Sequence, residues 1–281
     1  MKKTGDNIIS ILQNEIEKNY SQLSIEKLQK IFYCHAKKLL NEYLLKIENL
    51  EIEILDIEYY YFSDNHQDIY VHKKEKQKIS QKKSSKIIQL YVHEKNNRGG
   101  IDIVFGRGNY YGGILIKGIN IININGEHTI GINKVKNKIA KTFNISDDYK
   151  ELQDFFDNTD ITLIKKSNQK NDKIFVSIRE GLNSLECKYK FALYRFIKSV
   201  KINEKYDLTY KDLKNKSKIL AINYWIFDKK IKLNVFKKNS KDLFVDIEKH
   251  YNIINNNCYN NCYLKKYCKD FKLFLEEKEK G

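Results

Sequence analysis

Leu50-Glu51-Ile52-Glu53-Ile54-Leu55-Asp56-Ile57-Glu58-Tyr59-Tyr60-Tyr61-Phe62 interleaves β-branched and aromatic residues with acids, the composition of a strand. Side chains alternate along a strand, so Ile52, Ile54, Asp56, Glu58, Tyr60 and Phe62 are expected on one face. That face begins apolar and then carries a carboxylate and a phenol two residues apart. An acid in such a place is costly unless it is hydrogen-bonded or used, which makes Glu58 the leading catalytic candidate. The plain alternative is a strand-end glutamate pointing to solvent. Ten residues after Glu58 begins Asp68-Ile69-Tyr70-Val71-His72, which adds a second acid and an imidazole.

Around this strand the periodicity predicts helices over 8–20 and 24–46. Ser24 is placed to cap the second, with Glu26 in its first turn. Segments 87–93, 100–106 and 113–123 read as strands punctuated by glycines, and 160–166, 173–179 and 193–201 as further strands. Helices are expected over 131–143 and 147–156, a strand run over 219–236, and a helix over 241–251. No βαβ alternation and no internal repeat is visible. The expected fold class is α+β: a single domain with a mostly antiparallel curved β-sheet flanked by helices. A main domain over 1–205 and a helical or irregular C-terminal extension over 206–281, packed on it, are expected.

At 281 residues, with 41% hydrophobic and 12% aromatic residues, the chain can bury a full core. No apolar run approaches the roughly 18 residues of a membrane span, and Met1–Asp6 lacks the apolar core of a signal peptide. A cytoplasmic protein without a membrane partner is the expectation. The formal net charge of +16 favours a polyanion such as nucleic acid. AT-rich coding is a competing source of the lysines, since the chain has no proline and abounds in Lys, Asn, Ile and Tyr. The segment from Lys73 to Lys86 holds seven lysines and no apolar period, and reads as a solvated or phosphate-contacting loop.

In order, the motifs resemble those of the alkyladenine (3-methyladenine) DNA glycosylase family over roughly residues 30–200. Ala36-Lys37-Lys38-Leu39-Leu40 is similar to its opening helix, and Ile57-Glu58-Tyr59-Tyr60 to its Glu-Ala-Tyr strand. Asp68–His72 resembles its Asp-x-x-x-His, and Leu90–His93 through Gly113–Lys117 its Tyr-Val-Tyr and Leu-Ile-Arg strands. Val176–Leu182 and Tyr194-Arg195-Phe196 resemble its Arg-x-Gly-Leu and Arg-Phe motifs. The resemblance implies a monofunctional DNA glycosylase that flips a modified base from DNA and hydrolyses its N-glycosidic bond, leaving an abasic site. It implies that Glu58 activates the attacking water, and that Tyr60 and His72 stack on the flipped base. His93 falls where the family has a second stacking tyrosine. Asp102 falls near an asparagine behind the site, and Lys117 at the arginine. Asn96 and Asn97 lie in the loop expected to supply the wedge, and Arg179 joins the DNA-binding set.

Base hydrolysis of this kind has its own physical demands. The nucleotide must leave the stack, at a cost of a few kcal/mol, and aromatic faces recover about 1–3 kcal/mol per base. A carboxylate beside the sugar steadies the developing positive charge and takes a proton from water. No cofactor is required. The departures from the family pattern are a longer Glu58–His72 spacing, Asn and Arg-Gly-Gly in place of a bulky aromatic at the wedge, His93 for tyrosine, Asp102 for asparagine and Lys117 for arginine. They cluster at the base pocket and bear on which base is excised: an alkylated purine in repair, or a hypermodified base in foreign or phage DNA as a defence. The alternative is a non-catalytic DNA-binding module on the same fold. Cys258, Cys262 and Cys268 fall within eleven residues. Either they are coincidental, or they hold a structural zinc or iron–sulfur cluster with a fourth ligand such as Cys187 or His250. A monomer is expected.

Overall fold

The structure, a computed structural model, describes residues 7–73, 75–79, 88–94, 99–122, 128–168, 171–177, 179, 181–182, 189, 192–202 and 205–208. The chain divides into two compact units, 1–174 with 194–209, and 175–193 with 210–281. The run over 219–236, the helix over 241–251 and the three C-terminal cysteines lie outside the described residues. No helix among the described residues is long and apolar enough to cross a membrane.

The fold is α+β: among the described residues, four α-helices lie against a curved antiparallel sheet that forms a half-barrel. Helix α1 (Ile8–Lys18) starts at Asn7, whose side chain accepts from the Ile9 amide. Helix α2 (Ile25–Glu42) starts at Ser24, whose hydroxyl accepts from Lys27 N as the sequence predicts. The expected continuation of α2 to residue 46 does not occur. From Tyr43 the chain turns into strand β1 (Tyr43–Ile47), which pairs with both β2 (Leu50–Ser63) and β8 (Ile161–Lys165). Two ladders satisfy the backbone of this segment and override its helical spacing.

The remaining strands of the first unit are β3 (His66–Gln67), β4 (Leu90–Val92), β5 (Ile101–Val104), β6 (Tyr111–Ile121) and β7 (His128–Ile130), with β10 (Arg195–Ile202) and β11 (Lys205–Leu208). Strand β9 is Ile174–Ser177. The central path is β11-β10-β2-β6-β5-β4. Helix α3 (Ile132–Thr142) packs on β6, β7 and β5, and α4 (Tyr149–Asn158) on β4. Gln153 of α4 donates to Leu90 O and accepts from Val92 N, so a side-chain amide covers the backbone of β4, the last strand on this path.

The face of the sheet toward α2 is the aromatic core. Phe32 stacks on Tyr59 at 4.4 Å and meets the ring of Tyr194 edge-on at 5.0 Å. His35 Nδ1 lies 2.6 Å from the Tyr59 hydroxyl. Burial holds this imidazole neutral, its pKa pushed down to about 3. Phe32 is fully buried and shared between helix and sheet. Phe32→Ala is expected to cost about 3–5 kcal/mol, read as a lower urea midpoint with an unchanged slope.

Candidate active site: three buried ion pairs on one sheet face

Strands β2 and β6 pair from Ile52↔Ile121 to Phe62↔Tyr111, but the ladder shifts twice, between Ile54 and Asp56 and between Asp56 and Ile57. Ile54 pairs Ile119, Asp56 pairs Gly118, and Ile57 pairs Ile116. Leu55 is therefore an extra residue on β2 and Lys117 an extra residue on β6, two bulges that cancel in register. They do not cancel in facing. Ile54 and Glu58 stand three ladder steps apart and point to opposite faces. The expected single face of Ile52, Ile54, Asp56, Glu58, Tyr60 and Phe62 is thus corrected. Ile52 and Ile54 share the core face with Ile57, Tyr59 and Tyr61, and Asp56, Glu58 and Tyr60 share the other. The cause is the bulge at Leu55.

On that second face the register runs Arg195↔Glu58↔Leu115↔Asp102↔Tyr91 across five adjacent strands. Three carboxylates are buried there, Asp56, Glu58 and Asp102, each at 1% exposure or less. Each meets a cation from a neighbouring strand or strand end. Arg195 grips Asp56 with both prongs, Nε to Oδ1 at 3.1 Å and Nη2 to Oδ2 at 2.9 Å. Lys117, aimed by its bulge, donates to Glu58 Oε1 at 2.6 Å, while the Tyr60 hydroxyl donates to Oε2 at 2.9 Å. His93 Nε2 lies 2.8 Å from Asp102 Oδ2. Arg195 Nε also stands 3.9 Å from Glu58 Oε1, linking the first two pairs.

Three groups on this face are shifted by their surroundings. Burial raises the pKa of Asp56 against the opposing pull of Arg195. Burial disfavours the charged form of His93, but the charge of Asp102 and its hydrogen bond together outweigh it, and the net shift is upward. Tyr91, opposite Asp102, is pushed up to about 12, by burial first and by the Asp102 charge second.

Gly113 joins the Glu58 and Asp102 halves of the site. It pairs Tyr60 on one side and Val104 on the other, and a Cβ built on it would overlap Asp102 Oδ2. The missing side chain is what lets the Asp102 carboxylate lie over β6 beside the Tyr60 row. His72 follows an Asx turn in which Asp68 Oδ1 accepts from Tyr70 N at 3.1 Å. Asp68 and Val71 are buried while His72 is exposed, its ring edge-on to His93 with centroids 5.2 Å apart.

Of the residues singled out from the sequence, Glu58, Tyr60, Lys117, His72, His93 and Asp102 gather in the first unit through these contacts. Arg179 belongs to the second unit, where it is buried and donates through Nη2 to Tyr189 O at 2.7 Å. Asn96 and Asn97, the expected wedge, and Cys258, Cys262 and Cys268, the expected metal ligands, lie outside the described residues. Among the described residues no group of three or more His, Cys, Asp or Glu side chains is arranged to hold a metal. The sequence pattern singled out neither Asp56 nor Arg195 as a site residue. The signal was present in the alternation of Asp56 with Glu58 and in Tyr194-Arg195-Phe196. A carboxylate, an ammonium and a phenol within hydrogen-bond reach can accept, donate and relay a proton. No protein-family model matches the chain, and no match is found among curated proteins.

The sign of the pH dependence at His93 follows from its raised pKa. The folded state holds the imidazole proton more tightly than the unfolded state. The pair's stabilisation is therefore full below about 6.5 and is lost as pH rises through the higher folded value. In an NMR titration the His93 ring is expected to titrate above the ordinary 6.5, and below it in Asp102→Asn, where burial acts alone. Equal midpoints in the two proteins would contradict the ion pair.

Proposed function

We propose that the protein is a DNA glycosylase that flips a modified base out of DNA and hydrolyses its N-glycosidic bond. The observation that carries this reading is the placement of Glu58, buried, with Lys117 Nζ at 2.6 Å from one oxygen and the Tyr60 hydroxyl at 2.9 Å from the other. A carboxylate so held has a fixed position and a proton relay beside it. Both suit a group that steadies positive charge on a sugar and accepts a proton from attacking water. The order of motifs that resembles the alkyladenine DNA glycosylases supports the same assignment, as does the antiparallel α+β fold. The net charge of +16 suits a DNA partner.

In this reading Tyr60, His72 and His93 offer ring faces and edges to the extruded base, and Asp102 holds His93 in place. The imidazole and carboxylate stand where the resembling family has a tyrosine and an asparagine. They give the base pocket a proton-bearing wall and point its specificity away from the family's usual alkylated purines, toward a hypermodified base of foreign DNA. The enzyme would act as an intracellular monomer without a cofactor.

Wild-type protein and Glu58→Gln are to be incubated with alkylated DNA, deaminated DNA and phage DNA carrying modified cytosines. Heat-labile breaks and mass spectrometry of the freed base give the readout. Wild type is expected to release a base from one of the three, and Glu58→Gln to do so about 100-fold more slowly or less while still binding. Equal rates would sink the role of Glu58. Salt-dependent binding with no release from any DNA would favour a non-catalytic DNA-binding module instead.

A further inference from the structure

Water activation uses Glu58 as the base and the amine beside it as an ion-pair and proton-relay partner, not as a nucleophile. Lys117 Nζ is 2.6 Å from Glu58 Oε1, and the bulge on β6 turns it toward this face. Arginine at this place would supply charge and two parallel donors, but its guanidinium does not lose a proton to become a nucleophile. A lysine amine does, and it bonds readily to carbonyl carbon. Release of a base from deoxyribose leaves a C1′ hemiacetal in equilibrium with an open-chain aldehyde. A nucleotide whose C1′ reaches Glu58 therefore brings an aldehyde within reach of Lys117.

We propose that Lys117, which stands at the resembling family's arginine, forms an imine with the C1′ aldehyde of an abasic nucleotide and so gives the protein a strand-cleaving lyase activity, in departure from the monofunctional chemistry that the resemblance implies. The proposal rests on Glu58 being the group beside C1′. The Glu58 carboxylate takes a proton from the Lys117 ammonium, and the amine lone pair forms the N–C1′ bond as the carbonyl π pair moves to oxygen. A second nitrogen proton passes to that oxygen, giving a carbinolamine. Glu58 then returns its proton, the oxygen departs as water, and a protonated imine remains. Loss of a C2′ proton to Glu58 gives an enamine; its nitrogen lone pair restores the imine while its π pair forms a C2′–C3′ double bond. The C3′–O bond breaks, and the phosphate leaves with that bond's own pair as the end of the downstream fragment. Water hydrolyses the unsaturated imine and frees Lys117.

Lys117 sits in the machinery twice over in this scheme, as ion-pair partner and as nucleophile, and trapping separates the two roles. The full-length protein is mixed with a duplex carrying one preformed abasic site, in the presence of sodium cyanoborohydride, which reduces an imine to a stable amine. Tryptic peptides of the cross-linked species are then mapped by mass spectrometry. The expected result is a single DNA adduct on Lys117, strand cleavage in the absence of reductant, and loss of both in Lys117→Arg that melts as the wild type does. The mapping is made on the wild-type protein, so the outcome does not depend on the variant folding. No adduct, or adducts only at other amines of this lysine-rich chain, would overturn the proposal. The substrate already lacks its base, so failure here is distinct from failure to release one.

Discussion

Three carboxylates lie buried on one face of this sheet, and each is met by a cation from another strand or strand end. Taking an ionised carboxylate out of water costs several kcal/mol even after relaxation. The attraction of Arg195, Lys117 or His93 offsets that cost where the geometry is good, as in the two-pronged Asp56–Arg195 pair. Such pairs add little net stability over well-packed apolar side chains. Removing one partner, however, leaves the other charge stranded at a cost of about 3–5 kcal/mol. The result is an arrangement that fixes position. Strands β10, β2, β6, β5 and β4 are bound to one order and register by charges that have no acceptable place elsewhere.

That arrangement depends on two irregularities in the long β2–β6 ladder. Without the extra residue at Leu55, alternation would put Glu58 on the same face as Ile52 and Ile54, in the aromatic core beside Phe32. Without the extra residue at Lys117, the two strands would fall out of register beyond it. Paired, the bulges turn the acids out of the core, turn the lysine toward them, and preserve the ladder on either side. Gly113 completes the geometry by leaving room for the Asp102 carboxylate over β6. The opposite face stays a conventional core in which His35 is neutral and hydrogen-bonded to Tyr59.

Much of the fold is legible in the residues. The cap at Ser24, the apolar stripe of α2, and the glycine-punctuated strands are local signals, set by side-chain and backbone preferences within a few positions. Glu58 stands out because a glutamate inside an Ile- and Tyr-rich strand conflicts with its surroundings unless something answers it. The segment 43–47 is not legible, because its helical spacing continues that of α2 and only pairing with 50–52 and 161–165 makes it a strand. Neither is the role of Asp56 and Arg195, whose contact spans a separation of 139 residues.

The sequence by itself determined the fold class, the positive charge and the candidacy of Glu58, since composition and short-range periodicity carry these. Tertiary structure alone decided which face Glu58 occupies and which cation answers it, and that His93 is a partner of Asp102 as well as an aromatic surface. Those outcomes rest on register, and register is settled by pairing between distant strands. A single inserted residue reverses every side chain beyond it, and the sequence of β2 bears no local mark that Leu55 is that residue.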